Sequence, residues 1–265
     1  MPKTNESNVL TEKYIPQMKV EVSASSIIGT RKYQQDSYGY ADTDKGCLAI
    51  VCDGMGGLAG GERASALGVR TMLEDFIRTP FSDAPAFLKQ EAEKIDEMVF
   101  SLRDENGRQL GAGTTMVAVY IKDDKLNFIS VGDSKIYILR SHIMSCLVRE
   151  HNYRLILDEQ LRRGGISRED YARESVQAEA LISYLGIGDL SLIDSNQEPL
   201  TLYPGDVILL CSDGVYKTLS EDMIHAVLED NYFDSDRAAE ELTSSVMRYA
   251  GRSQDNTTAV LVRCI

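Results

Sequence analysis

The sequence is poor in cysteine, and its few cysteines are not spaced as metal ligands or disulfide partners. Five cysteines occur among 265 residues, with no Cys-x-x-Cys pair, which argues against a zinc ribbon and against a disulfide framework. Cys47, Cys52 and Cys211 lie in or beside apolar runs, which is typical of buried reduced thiols. We therefore expect a reducing, cytoplasmic environment.

Long apolar runs and basic residues are also scarce. No segment approaches the roughly eighteen consecutive apolar residues of a membrane span, and residues 1–18 form a polar lead-in of mixed charge. The 28 Lys and Arg residues against 41 Asp and Glu residues leave a net charge of −13. This charge argues against binding to nucleic acid or to anionic membranes, although an acidic chain can still contain a cation site.

Motifs of several enzyme classes are missing as well. There is no Gly-x-Ser-x-Gly nucleophile motif and no Gly-x-x-x-x-Gly-Lys-Ser/Thr phosphate loop. The three histidines, His142, His151 and His225, have no catalytic context, so we expect them to be exposed or partly buried. The scattered tyrosines do not predict a surface for stacking nucleic-acid bases.

What the chain does contain is an alternation of strand and helix patterns in one globular composition, with 43% hydrophobic residues. Strand-like runs occupy residues 19–28, 46–52, 114–121, 125–131, 134–139, 143–148, 206–211 and 257–265. Helical spacing occupies residues 60–77, 84–102, 220–229 and 234–250. The runs from 114 to 148 predict an antiparallel meander, and the alternation of blocks predicts sheets between helices. The charged segment 152–184 predicts a mobile surface insertion.

Aspartate recurs at strand ends and turns. The four instances are Asp53-Gly54, Gly132-Asp133-Ser134, Asp213-Gly214 and Asp255-Asn256-Thr257. Any one of them is explained by ordinary turn chemistry, because Gly accepts positive φ and Asp bonds its own backbone. Four gathered carboxylates repel one another unless a cation neutralises them, and hard oxygen ligands select magnesium, manganese or calcium. The pattern therefore favours a cation site, to which the Gly54 carbonyl could contribute.

Arg31 and Asp36 lie five residues apart and could reach one pocket from a single loop. A guanidinium group suits a planar, bidentate contact with phosphate oxygens. The alternative for Arg31 is an ordinary surface salt bridge, and the sequence alone does not decide between the two.

Residues 54–59 also satisfy the dinucleotide-binding pattern G-x-G-x-x-G/A, with Glu74 and Asp75 about twenty residues further on. Two features argue against this interpretation. Asp53 would set a carboxylate beside the pyrophosphate, and the next elements are a second helix and a meander where a parallel strand is required.

Taken in order, these motifs resemble those of one family. They are Arg31 to Asp36, Asp53-Gly54-Met55-Gly56-Gly57, Gly113-Thr114-Thr115, Gly132-Asp133-Ser134, Ser212-Asp213-Gly214 and Asp255-Asn256-Thr257-Thr258. The set resembles the PPM (type 2C) metal-dependent serine/threonine protein phosphatases, and bacterial members most. The resemblance implies an α+β fold, a four-layer α-β-β-α sandwich in which helix pairs flank a central antiparallel β-sandwich. It also implies one phosphatase domain over residues 19–265, with a helical flap near 150–186.

The resemblance further implies a set of metal ligands. Asp53 would bridge two manganese or magnesium ions, and Gly54 would give its carbonyl to one of them. Asp213 and Asp255 would bind the other ion. Asp133, sharing Asp213, would bind a more weakly held third ion.

By the same resemblance, Asp36 would hold a metal-bound water and Arg31 would hold the substrate phosphate. Two departures from the family pattern matter here. Met55 stands where many eukaryotic members have a histidine that protonates the leaving alcohol, so that proton must come from water or another group. Gln35 stands where some members have Glu, which removes a negative charge near the metals and predicts weaker metal binding.

The resulting hypothesis is a monomeric phosphatase that hydrolyses phosphoserine and phosphothreonine in proteins and opposes a cognate serine/threonine kinase, with no nucleic-acid or membrane partner. The alternative is a pseudophosphatase that binds phosphoproteins or a regulator without turnover. Retention of Asp53, Asp213 and Asp255 argues against that alternative.

Overall fold

The computed structural model describes residues 18–56 and 60–265. The lead-in predicted at residues 1–18 lies outside the described residues except for Met18. Gly57, Leu58 and Ala59, the second half of the glycine-rich motif, also lie outside them.

Strands and helices follow the predicted order closely. The strands are β1 (Val20–Ile27), β2 (Asp36–Thr43), β3 (Gly46–Met55), β4 (Gly113–Thr114), β5 (Met116–Lys122), β6 (Lys125–Val131), β7 (Lys135–Arg140), β8 (Ile143–Cys146), β9 (Asp194–Ser195), β10 (Leu200–Thr201), β11 (Val207–Cys211) and β12 (Thr257–Cys264). The helices are α1 (Gly60–Arg78), α2 (Ala84–Phe100), α3 (Tyr153–Arg162), α4 (Arg168–Glu174), α5 (Asp213–Tyr216), α6 (Glu221–Asp230) and α7 (Ser235–Tyr249). Among the described residues, no helix has both the length and the apolar character needed to cross a membrane.

The strands form two antiparallel sheets. One has the order β1-β12-β11-β7-β8, and the other has the order β10-β6-β5-β3-β2, with β4 beside β3 and β9 beside β6. β3, which precedes the glycine-rich motif, runs antiparallel to both of its long neighbours, β2 and β5. A dinucleotide-binding unit needs a parallel neighbour there, so the structure excludes that interpretation.

Three apolar cores separate four layers, which confirms the predicted α-β-β-α sandwich. Side chains alternate across each strand, so Val117 and Val119 of β5 pack between the sheets while Met116 and Ala118 pack under α1 and α2. β11 alternates in the same way between the inter-sheet core and the core beneath α6 and α7. Both faces of these strands are buried, so their residues are apolar except for the exposed Lys122 at the end of β5, and this continuous apolar run made the strands predictable.

Strand β2 was not predicted, because its sequence has no apolar run. It lies at the edge of its sheet, with Tyr38 and Tyr40 exposed. On the other face α1 packs directly over Gly39, where an added Cβ would lie 2.6 Å from the Leu73 side chain. The strand is held by its pairing with β3 along its whole length and by this close contact with α1, and a hydropathy pattern reveals neither.

The segment predicted as a surface insertion contains α3 and α4, and Leu157 is the one buried residue of these two helices. His151, just before α3, was expected to be exposed or partly buried, and this expectation is wrong because its side chain is fully buried. The His151 main-chain N–H donates to the Gly132 carbonyl (2.9 Å), and its Nδ1 accepts from the Gly132 N–H (3.2 Å). These two bonds fix the flap to the turn that carries Asp133.

The predicted buried thiols are confirmed. Cys47, Cys52 and Cys211 are buried and free, as is Cys264, whereas Cys146 is exposed. Burial raises the pKa of the Cys47 thiol to about 12, so this side chain is neutral and unreactive at physiological pH.

Candidate metal centre

A cavity of about 410 Å³ opens at one end of the β-sandwich. Six of the seven predicted site residues line it: Arg31, Asp53, Gly54, Asp133, Asp213 and Asp255. Asp36 lies behind this lining, buried, and its strand register pairs it with Asp53. A larger cavity of about 670 Å³ next to Lys19 and Asp42 contains none of the predicted residues.

Asp53 lies near the end of β3, and its backbone is held by two threonines. Its N–H donates to Thr115 Oγ1 (3.0 Å), and its carbonyl accepts from Thr114 Oγ1 (3.0 Å) and from the Thr115 N–H (2.8 Å). The side chain is half-buried, with its exposed part toward the cavity. Desolvation, and then the neighbouring carboxylates of Asp36 and Asp213, raise the pKa of Asp53 well above its ordinary value.

Gly54 lies where the chain has no room for a side chain. An added Cβ would lie 2.1 Å from the Gly61 carbonyl oxygen and 2.6 Å from the Gln35 carbonyl oxygen. The Gly54 N–H donates to that same Gln35 carbonyl (3.0 Å). The glycine is therefore required by backbone packing, whatever the role of its carbonyl.

Asp36 is a buried carboxylate that is only half satisfied. Ser212 Oγ donates to Asp36 Oδ2 (2.7 Å) and itself accepts from the Thr258 N–H (3.0 Å). Asp36 Oδ1 is buried without a hydrogen-bond partner. Burial raises the pKa of Asp36 to about 6, even though the contacts with Ser212 and Thr258 act to lower it. An unpaired, buried carboxylate oxygen is costly, and a cation or a water held by one would satisfy it.

Asp213 begins the short helix α5, and Lys217 ends the same helical turn. Lys217 Nζ donates to Asp213 Oδ2 (2.6 Å) and to Asp133 Oδ2 (3.2 Å). Lys217 was missed from the sequence, although its i, i+4 spacing from Asp213 predicts that their side chains meet on one helix face.

Arg31 lies at the rim of the cavity with 55% of its side chain exposed, and its Nη2 contacts Asp255 Oδ2 at 2.5 Å. The guanidinium is thus in an ion pair, but with a predicted metal ligand at the cavity mouth. The contact is a salt bridge, as one interpretation of the sequence expects, and it also holds Arg31 at the cavity mouth, where a phosphate-binding residue would have to lie.

Asn256 is a second residue whose role the sequence did not reveal. Its Oδ1 accepts from the Gln35 N–H (2.8 Å), and its Nδ2 donates to the carbonyls of Ile28 (2.9 Å) and Tyr33 (3.1 Å). These bonds tie the loop that carries Arg31 to the start of β12.

The donor set fits hard divalent cations. Five aspartates lie in or beside the cavity: Asp36, Asp53, Asp133, Asp213 and Asp255. Two cationic groups, Lys217 and Arg31, contact three of them, while Glu179, which also lines the cavity, pairs with Arg154. In their present positions the described His, Cys, Asp and Glu side chains form no closed group of three or more ligands. Three of the carboxylates are directed to Lys217 or Arg31 instead. The unbalanced negative charge and the oxygen chemistry suit magnesium or manganese.

Comparisons with known proteins agree with this geometry. Residues 25–259 match the protein phosphatase 2C family. The serine/threonine phosphatase stp of Listeria monocytogenes is 28% identical over 237 residues, covering 88% of this chain and 90% of that protein. The S. agalactiae serine/threonine phosphatase structure aligns with a TM-score of 0.79 and 27% identity, over 92% of this chain and 99% of that one. The catalytic domain of the phosphatase PstP, solved in complex with two manganese ions, gives a TM-score of 0.74 and 25% identity, over 94% and 99% of the chains.

Proposed function

The chain belongs to the protein phosphatase 2C family, and on that premise we propose that it is a metal-dependent phosphatase acting on phosphoserine and phosphothreonine in proteins. The observation that carries the proposal is the convergence of Asp53, Asp133, Asp213 and Asp255 in one cavity with Arg31 at its rim. A site for cations and a phosphoryl group explains why these carboxylates and a guanidinium group share one cavity.

Two divalent ions, manganese or magnesium, would be held by Asp53, Asp213, Asp255 and the Gly54 carbonyl. When bound, such a pair supplies a water activated for attack on phosphorus and positive charge for the phosphoryl oxygens. The raised pKa of Asp53 supports this role, because a carboxylate crowded by others gains most from a bound cation.

The remaining steps belong to side chains of this chain. Arg31 would turn from Asp255 toward the phosphoryl oxygens and hold them through charge-assisted hydrogen bonds. Asp36 would orient the attacking water through its unpaired Oδ1, while Ser212 fixes its other oxygen. Met55 lines the cavity but has no proton to give, so solvent or another group protonates the departing alcohol.

A third ion would use Asp133 and Asp213. Such an ion would have to compete with the Lys217 ammonium for the same two carboxylates, so it would be bound more weakly than the main pair, if it binds at all.

The substrate would approach past the flap near residues 150–186, because Glu179 and Leu181 of this segment line the cavity. The catalytic unit would be a single domain over residues 19–265, monomeric and cytoplasmic, opposing a serine/threonine kinase. A buried phosphoryl site bordered by an exposed, charged flap suits a protein substrate that presents its phosphate on a flexible segment.

Hydrolysis of p-nitrophenyl phosphate and of phosphoserine and phosphothreonine peptides, with manganese and with excess EDTA, tests the proposal. Manganese-dependent release of phosphate from both kinds of substrate is expected. Full turnover in EDTA would refute the metal mechanism. Tight phosphopeptide binding without turnover in manganese would support the pseudophosphatase alternative instead.

A further inference from the structure

One cationic side chain of the cavity has no role in the proposed reaction. Lys217 Nζ lies between two carboxylates, at 2.6 Å from Asp213 Oδ2 and 3.2 Å from Asp133 Oδ2. These are the two residues that the resemblance assigns to a third metal ion. The ammonium group thus contacts the very oxygens on which that ion would depend.

The surrounding backbone directs Lys217 to this position. The Lys217 N–H donates to the Asp213 carbonyl (2.9 Å), which closes the helical turn and sets the two side chains on one face. The next residue back, Tyr216, donates its hydroxyl to the Asp133 carbonyl (2.8 Å) and so ties α5 to the turn carrying the second carboxylate. The contact is therefore built by the fold and does not depend on one flexible side chain alone.

Among the described residues, Lys217 is the cationic side chain that contacts both of these carboxylates. An ammonium group placed between two carboxylates balances one of their two negative charges.

We propose that Lys217 is the resident cation of the Asp133–Asp213 pair and excludes the third metal ion, so that this protein works with two divalent ions and one fixed ammonium. The inference rests on the proposed phosphatase function for its context, but it concerns the number of ions bound. A divalent ion entering here would have to displace an ammonium that already contacts both carboxylates. Like-charge repulsion disfavours holding both cations on one pair of carboxylates.

Such an arrangement has a functional consequence. A charge that is part of the chain does not dissociate, so the electrostatic environment beside Asp213 is independent of the metal concentration. Activity would then rise with manganese through the binding of the main pair alone, without a further phase at high concentration.

Counting bound manganese in the absence of substrate tests the proposal. Calorimetric titration and equilibrium dialysis would be applied to the full chain and to Lys217→Met, with Lys217→Arg as the matched variant that keeps the charge. We expect two ions in the wild type and in Lys217→Arg, and a third in Lys217→Met, bound tighter than any third ion of the wild type by about tenfold or more. Adding Asp133→Asn to Lys217→Met should remove that third ion.

Equal numbers of ions bound with equal affinity in the wild type and in Lys217→Met would overturn the proposal, whether that number is two or three. Circular dichroism of each variant confirms that it is folded before the ions are counted. Phosphatase activity of the wild type is measured separately, so an inactive protein that binds ions as expected would refute the proposed function and leave the role of Lys217 standing.

Discussion

Arg31 and Asp255 form an ion pair of 2.5 Å across a separation of 224 residues in the sequence. The pair joins a residue proposed to hold phosphate to a residue proposed to hold metal. Binding of metal at Asp255 would free the guanidinium, so that the phosphate contact becomes available when the metal site is filled. Binding of metal and binding of phosphate would thereby be linked through the Arg31 side chain.

Replacing Arg31 with Ala should therefore weaken phosphate recognition without weakening manganese binding. The loss of a charge-assisted hydrogen bond of roughly 1.5–3 kcal/mol corresponds to a decrease of about 10- to 150-fold in kcat/KM on a phosphopeptide. Lys at this position should restore only part of the activity, because it lacks the bidentate geometry. Steady-state kinetics and calorimetry measure the two effects, and unchanged kinetics would reduce Arg31 to a surface salt bridge.

Asp53→Asn should abolish activity, remove the stabilisation by manganese and raise the stability of the metal-free protein. Manganese should no longer raise the melting temperature, since ligand-linked stabilisation needs the ligand to bind. In EDTA at neutral pH the variant should melt above the wild type, because the raised pKa of Asp53 means that its ionised form destabilises the fold. Thermal melts with and without manganese test both points.

Asp44→Asn serves as the control for that experiment, since Asp44 is exposed in the turn between β2 and β3. It should retain the manganese-dependent shift. A wild-type shift in Asp53→Asn would remove this residue from the metal site.

Gly54→Ala should destabilise the protein by about 1–3 kcal/mol or more, because the new methyl group would collide with the Gly61 carbonyl oxygen. Urea denaturation would measure the loss. Gly251→Ala is the matched control, since nothing lies within 4 Å of the position of its added Cβ. Equal stability of the two variants would mean that α1 can shift away from β3 at little cost.

Asp194→Asn should show a loss of stability that depends on pH. Asp194 Oδ2 accepts from the Arg149 N–H (3.0 Å), and its Oδ1 lies 3.4 Å from His151 Nε2. Burial acts to raise the pKa of Asp194, but His151 and Arg149 outweigh it and hold the pKa well below its ordinary value.

A depressed pKa stabilises the fold above the unfolded-state pKa of about 4, and that contribution is lost progressively as the pH falls further. The variant should therefore be less stable than the wild type at pH 7 by about 1–3 kcal/mol, and the gap should narrow below about pH 4. Urea unfolding from pH 7 down to the lowest pH at which the fold persists measures the gap. A constant difference throughout would show that the charge of Asp194 does not contribute.

The sequence was informative where burial or backbone chemistry acts locally. Strands such as β5 and β11 have apolar residues on both faces, and the aspartates lie at or near strand ends, so both could be found without coordinates. Strand β2 could not be predicted, because it is held by its pairing with β3 and by the contact between Gly39 and α1, and not by an apolar run of its own. The burial of His151 was wrongly predicted for a similar reason, since its partners Gly132 and Asp194 lie on separate segments.

Within the site, residue types were predictable and their pairings were not. The sequence identifies Asp133 and Asp213 as acidic turn residues, but only the fold directs both of them to Lys217. The contacts of Asn256 with Gln35 and Tyr33 likewise depend on the pairing of distant strands.

The position of β12, the last strand of the chain, between β1 and β11 has a consequence during synthesis and folding. Asp255 lies two residues before β12, and Arg31 follows β1, so the two come together only after β12 has paired between β1 and β11. A chain still being synthesised holds its other aspartates but cannot assemble the cavity. Dephosphorylation by partly made or partly folded chains would thereby be prevented by the order in which the strands pair.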